Sequence, residues 1–186
     1  MKGDERMETN SKINVKTEKE KKEDRIIRLS LLAFRDELTH LFNRRNLKLR
    51  LPEVLENARQ NRERVSLLLI DVDEFKKIND CYFHSEGDRV LVEVARLLKR
   101  EKRPQDIVVR YGGDEFVVVL HNPSSFDAQR IASRWIKDTL SITVGHFHRT
   151  PIFLSFGIAT FPDSSETIEK SSDIGFFSRY LERLLI

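Results

Sequence analysis

From about residue 46 onward, helix-period and strand-length apolar segments follow one another in an order that few architectures accept. Residues 46–61 carry a helical pattern despite Pro52, and 65–72 read as a buried strand. Residues 85–100 place Val90, Leu91, Val94, Leu97 and Leu98 on one helical face. Short β-rich runs at 107–111 and 116–120 flank Gly112-Gly113, which predicts a hairpin. Ser124 and Asp127 can cap a further helix, whose apolar face is Ala128, Ile131, Ala132, Trp135, Ile136 and Leu140. Residues 142–147 and 152–161 read as another strand pair. Strand, helix, hairpin, helix and strand pair predict an α/β (α+β) sandwich, a mostly antiparallel central sheet flanked by helices.

Ahead of this unit, residues 1–25 are almost entirely charged and polar, too poor in apolar groups to offset the entropy of ordering them. They read as a disordered or frayed tail. Then Ile27, Leu31, Phe34, Leu38 and Leu41 recur at spacings of four and three, which predicts an amphipathic lead-in helix over 26–42. Extended backwards, the stripe meets Asp24 and Glu20, so the seam is only about two heptads long. It fits either a helix docked on its own domain or a dimer contact.

The charge balance excludes some partners. With 33 Lys and Arg against 30 Asp and Glu, the net charge is only +3. A dedicated nucleic-acid binder would show a one-signed basic surface, so no nucleic-acid partner is expected. The single cysteine, Cys81, excludes an internal disulfide and a Cys-based zinc site, and fits a reducing, cytoplasmic setting. The polar N-terminus has no signal-peptide pattern, and apolar runs such as 116–120 are far too short to insert in a bilayer.

Two segments carry the candidate chemistry. Asp71-Val72-Asp73-Glu74-Phe75-Lys76-Lys77-Ile78-Asn79-Asp80 lies at the end of an apolar strand, and Arg110-Tyr111-Gly112-Gly113-Asp114-Glu115-Phe116 lies at a hairpin tip. A strand that turns abruptly acidic places carboxylates at a sheet edge, and a neighbouring hairpin tip can bring a second set alongside. Magnesium takes a few hard oxygen ligands and leaves the rest to water and phosphate, so two such carboxylates suit a nucleotide-bound metal. The glycines are expected to let a nucleotide approach the turn backbone, at positive φ. An EF-hand reading fails because Phe75 and Lys76 occupy the fifth and sixth loop positions, and no Walker-type phosphate loop is present. His146 and His148 share one strand face, but no third donor accompanies them, and a closed zinc site needs more.

Gly112-Gly113-Asp114-Glu115-Phe116, preceded by Arg110-Tyr111, resembles the signature of GGDEF domains. Asp71-x-Asp73-x-Phe75-Lys76-x-Ile78-Asn79-Asp80, continued by His84 and Gly87-Asp88, is similar to their metal and guanine segment. Asp36-x-Leu38-Thr39-x-Leu41-x-Asn43-Arg44-Arg45 resembles their entry motif. The likeness covers roughly residues 36–163, within a domain expected over 36–186. It implies the palm-like fold of nucleotidyl cyclases and polymerases, and a diguanylate cyclase that condenses two GTP into cyclic di-GMP and two pyrophosphates.

The resemblance also implies roles. Asp71 and Asp114 would hold two magnesium ions, or manganese, with help from the Val72 carbonyl. Glu115 would position the reacting ends, Lys76 would hold terminal phosphates, and Phe75, Gly112 and Gly113 would line the substrate. Asn79 and Asp88 would read guanine, because a carboxylate accepts from N1 and N2 while an amide donates to N3. One GTP per domain makes a homodimer a mechanistic requirement. Arg103-Pro104-Gln105-Asp106 resembles the family's product-inhibition site, a planar donor fork and a carboxylate that suit cyclic di-GMP; as a bare turn, the same residues close a helix.

The sequence departs from the pattern in three places. His40 stands where the entry motif has glycine. Phe83 replaces the glycine before His84, where positive φ would strain a bulky residue. The C-terminal segment from Ser172-Asp173 carries Tyr180 in place of a phosphate-binding lysine and Leu184-Leu185 in place of Gly-Arg. These departures keep a second reading open, a catalytically degenerate domain that binds GTP or cyclic di-GMP as a regulatory module.

Overall fold

The computed structural model describes residues 19–23, 25–26, 29–30, 32–100, 102–123, 125–145 and 149–162. Its elements are β1 (Phe42–Asn43), α1 (Arg44–Asn61), β2 (Val65–Val72), α2 (Phe75–Tyr82), α3 (His84–Arg100), β3 (Ile107–Arg110), β4 (Glu115–His121), α4 (Ser125–Thr139), β5 (Thr143–Val144), β6 (Thr150–Pro151) and β7 (Leu154–Phe161). A five-stranded sheet runs in the order β1-β3-β4-β2-β7, and β5 and β6 form a separate ribbon. Every pairing in the main sheet is antiparallel except β1 with β3. The mixed, mostly antiparallel sheet flanked by helices is the predicted sandwich.

β2 is apolar on both faces because both faces are covered. Leu68, Ile70 and Val72 join Phe116, Val118, Phe156 and Ile158 beneath Val90, Leu91 and Val94 of α3 and Ala128, Ala132 and Trp135 of α4. Val65 and Leu67 join Val109, Val117 and Val119 beneath Leu47, Leu51 and Ala58 of α1. Trp135, fully buried, stacks on Phe156 with ring centroids 6.5 Å apart. Each such side chain contributes on the order of 1.5–3 kcal/mol by leaving water.

Local signals set the joins. Asn43 caps α1 by accepting from the Asn46 amide at 3.1 Å, while its own side-chain amide donates to the carbonyls of Ala33 and Arg35. Arg62, left-handed at φ 56°, ends the helix. Pro52 sits within α1 without breaking it.

Several expectations need correction. Described residues between 19 and 34 are helical, but the helix stops at Phe34 instead of running to 42. Asp36 accepts from both the amide and the hydroxyl of Thr39, a local bond that diverts the chain into a turn. Leu38 and Leu41 still reach the core, from that turn and its exit. Ile27 and Leu31 of the seam lie outside the described residues. Ile136 and Leu140 were expected on the buried face of α4, yet they are 38% and 45% exposed, because the core contact is made by Ala128, Ala132 and Trp135.

Residues 142–147 and 152–161 do not form a long pair. β5 meets β6 over two residues each, while β7 runs along the full length of β2, where both its faces can be buried. Helix α2 was not anticipated. Its Phe75, Ile78 and Tyr82 at i, i+3 and i+7 carried the signal inside an otherwise polar stretch.

Candidate active site

The end of β2 gathers acid from two strands and a hydroxyl from a third. Asp71 lies opposite Glu115 of β4 on one side and Ser155 of β7 on the other. The Val72 amide donates to the Asp114 carbonyl at 3.3 Å, so Asp71 and Asp114 flank a single hydrogen bond. The Asp71 carboxyl is pushed up to about 6 by burial first, then by the charges of Asp114, Glu115 and Asp73. Glu115 is raised as well, by burial and by Asp114, against an opposing pull from Arg44. Strand pairing brings these carboxylates together, and both burial and mutual repulsion disfavour their charge.

The hairpin that carries Asp114 and Glu115 is tightly fixed. The amides of Tyr111 and Gly112 both donate to the Glu115 carbonyl, at 2.8 and 3.2 Å. Arg110 spans the turn, donating through Nε and Nη2 to the Gly113 carbonyl and through Nη1 to both oxygens of Asp36. The Asp36 carboxyl is held below its ordinary value: burial raises it, but the Thr39 and Arg110 hydrogen bonds prevail. Arg44 packs its guanidinium 4.7 Å above the Tyr111 ring.

The positive φ expected of the two glycines is absent, and only Gly112 meets a steric need. Among the described residues Gly145 is the only glycine with φ in that range. A Cβ on Gly112 would stand 2.4 Å from Glu115 Oε2, whereas one on Gly113 would meet nothing within 4 Å. Gly112 therefore leaves room for a carboxylate of the site, and Gly113 leaves its surroundings open to solvent or ligand.

Beyond β2 the chain turns into α2 through Glu74, left-handed at φ 54°, whose carbonyl accepts from Lys77 and Ile78. Asp73 is clamped from β7: its amide donates to the Phe153 carbonyl at 3.0 Å, and its carboxylate accepts from the Ser155 hydroxyl at 2.6 Å. Lys76 and Asp88 are exposed, and Lys77 is paired with Glu74. Asn79 and Phe75 face Gly87 across the α2–α3 groove, where a Cβ on Gly87 would be 2.1 Å from Asn79 Oδ1 and 3.1 Å from the Phe75 ring. That glycine lets the Asn79 and Phe75 side chains settle between the helices.

The donor set fits a magnesium ion: hard carboxylate oxygens at one sheet end, whose mutual repulsion a cation relieves. Among the described residues no three acidic, histidine or cysteine side chains form a closed metal cage. Magnesium held by one or two carboxylates, with phosphate and water completing its shell, does not need one.

Arg103 and Asp106 sit at the opposite end of the sheet. Arg103 is exposed, but Asp106 is only 5% exposed and already engaged. Its carboxylate accepts from the Arg103 amide at 2.8 Å and from the His121 amide at 3.1 Å, so it closes the turn before β3. His121 is lowered from its ordinary value, by burial first. Ser124, His146, His148 and the C-terminal departures lie outside the described residues. Sequence reading did not anticipate the Arg110–Asp36 link or the Ser155 clamp. Both join residues far apart in the chain, and no local pattern encodes such partners.

Comparison with known proteins agrees with this geometry. The family model described as "Diguanylate cyclase, GGDEF domain" matches residues 33–174. The chain is 37% identical over 136 residues to the bifunctional diguanylate cyclase/cyclic di-GMP phosphodiesterase MucR of Pseudomonas aeruginosa, covering 73% of this chain and 20% of that protein. It is 39% identical over 153 residues to the response regulator PleD of Caulobacter vibrioides, covering 78% of this chain and 34% of that protein. Thus it spans between a fifth and about a third of the length of these relatives. Among solved structures, the diguanylate cyclase SiaD of Pseudomonas aeruginosa, in complex with its activator SiaC, superposes with a TM-score of 0.68 at 30% identity, over 97% of this chain and 67% of that one. The chain belongs to the GGDEF-domain family of diguanylate cyclases.

Proposed function

We propose that this chain is an active diguanylate cyclase unit, joining two GTP into cyclic di-GMP with loss of two pyrophosphates. The observation that carries the reading is the convergence of Asp71, Asp114 and Glu115 on one sheet end, where Asp71 pairs with Glu115 across β2 and β4 and the Val72 amide bonds the Asp114 carbonyl. Asp71 and Asp114 hold the metal through their carboxylates and Val72 through its carbonyl. Two magnesium ions, or manganese, bound there would supply acidity to the attacking 3′-hydroxyl and charge for the leaving pyrophosphate. Lys76, exposed beside the site, holds terminal phosphates, Asn79 and Asp88 select guanine, and Glu115 positions the reacting ends. A second copy must face the first, because each domain presents one GTP. A GTP substrate and a reduced surface cysteine at Cys81 suit the cytoplasm, and among the described residues no helix is long and apolar enough to cross a membrane.

The second reading, a regulatory module that holds a nucleotide without joining two, is favoured by the strained junction at Phe83. Sensing of cyclic di-GMP through Arg103 and Asp106 draws less support, since the Asp106 carboxylate is committed to backbone amides. One assay separates the readings. Purified protein freed of carried-over dinucleotide is incubated with GTP and magnesium at several protein concentrations, beside an Asp114→Asn control, and the products are resolved chromatographically. Cyclic di-GMP from the wild type alone is the expected result. GTP recovered unchanged at every concentration defeats the cyclase reading, and calorimetry with a non-hydrolysable GTP analogue then tests the module.

A further inference from the structure

Phe83 joins α2 to α3 with φ 69° and ψ 159°. That region of backbone space is essentially reserved for glycine, and a bulky side chain held there is strained. The strain is not repaid by burial, since Phe83 is 78% exposed. Its carbonyl does useful structural work, accepting from the amides of Glu86 and Gly87 at 3.1 and 3.3 Å, but any residue supplies a carbonyl. The ring itself has no role in the fold.

Its location supplies one. Phe83 lies four residues after Asn79 and four before Gly87, at the junction of the two helices whose Asn79 amide and Phe75 ring lie against Gly87. An exposed aromatic face one helical turn from the proposed guanine-reading Asn79 offers a stacking surface, and stacking discriminates little between bases while adding affinity for the nucleoside.

We infer that Phe83 is a substrate-binding residue of this chain, its ring stacking on the guanine base of the GTP held in the α2–α3 groove. The inference rests on the proposed GTP site and deepens it. Phe83 adds nucleoside affinity at the expense of backbone strain, so stability and affinity change in opposite directions when the ring is removed.

The test uses the full chain with magnesium and a non-hydrolysable GTP analogue, measured by calorimetry, together with inorganic tripolyphosphate as a probe without a base. Phe83→Gly relieves the strain and removes the ring; Phe83→Leu keeps the strain but not the aromatic face; Phe83→Trp keeps both. Expected are a higher urea midpoint for Phe83→Gly, an affinity for the analogue about tenfold weaker in Phe83→Gly and Phe83→Leu, and near wild-type affinity in Phe83→Trp. Tripolyphosphate binding is the same in all four proteins. Equal analogue affinity in wild type and Phe83→Gly overturns the stacking role and leaves the GTP site standing, as does a loss that tripolyphosphate shares equally. A wild type that binds no analogue overturns both.

Discussion

Gly112→Ala and Gly113→Ala differ by one position and should differ in effect. Neither glycine has a left-handed φ, so alanine fits both backbones and, by restricting the unfolded chain, gains about 0.4–1 kcal/mol at each. At Gly113 nothing stands within 4 Å of the new methyl, and the gain survives intact. At Gly112 the methyl meets Glu115 Oε2 at 2.4 Å and Cδ at 3.3 Å, but Glu115 Cβ only at 3.5 Å. The carboxylate must swing away by about 1 Å while the backbone stays, which costs about 0.5–1.5 kcal/mol in rotamer strain. Gly113→Ala should therefore be more stable than wild type, and Gly112→Ala should fall between about 0.5 kcal/mol more stable and about 1 kcal/mol less stable. Urea unfolding of the metal-free protein, followed through its single and fully buried tryptophan, Trp135, reads the difference. In the cyclase assay a carboxylate misplaced by that much lowers turnover on the order of a hundredfold in Gly112→Ala. Any loss in Gly113→Ala would report the bound nucleotide, because no protein atom is there to clash. A Gly113→Ala protein less stable than wild type, or a Gly112→Ala protein more stable than Gly113→Ala, would refute the reasoning.

Three further outcomes are expected. Because the Asp71 carboxyl is raised from 3.8 to about 6, its favourable contribution is complete below pH 4 and lost as pH rises through 6. Asp71→Asn should then stabilise the metal-free protein at pH 7.5 by on the order of 1 kcal/mol, discounted for partial exposure, while abolishing the magnesium-induced rise in melting temperature; a less stable variant in chelator would contradict this. Arg110→Ala removes hydrogen bonds to Asp36 and the Gly113 carbonyl and should cost about 1.5–3 kcal/mol in urea unfolding. Arg110→Lys should recover only part, lacking the planar fork. Asp106→Ala leaves two backbone amides without their acceptor and should cost about 2–4 kcal/mol, with Asp106→Asn intermediate; an unchanged denaturation midpoint would mean that the turn does not depend on it.

The sequence was most legible where a property is local. The apolar run of β2, the amphipathic stripe of α3 and the hairpin at Gly112-Gly113 each follow from neighbours a few residues apart. Residues 65–72 showed themselves as a strand because both faces are buried, and the abrupt change to Asp71 and Asp73 marked the site. Partner choice was not legible. Nothing within 152–161 says that it must align with β2 instead of 142–147, since that depends on which sheet face lacks cover. The stripe through Leu38 and Leu41 has helical spacing, yet the Asp36–Thr39 bonds override it. For the glycines, composition announced a turn but could not distinguish a conformational need from a steric one. The Glu115 carboxylate that decides the matter at Gly112 becomes a neighbour only once the hairpin has formed.

The acid cluster also has an order of events built into it. Asp71 meets Glu115 and Ser155 only when β2 has found both of its neighbours, across long intervening stretches of chain. Closing such loops is slow, and local helices assemble well before it. The repulsion that Asp71 feels from Asp114 and Glu115 thus arises only when β2 is aligned with β4, beneath the apolar layers that hold the strand in register. The same strand pairing that brings the acid together also supplies the buried layers that offset its repulsion.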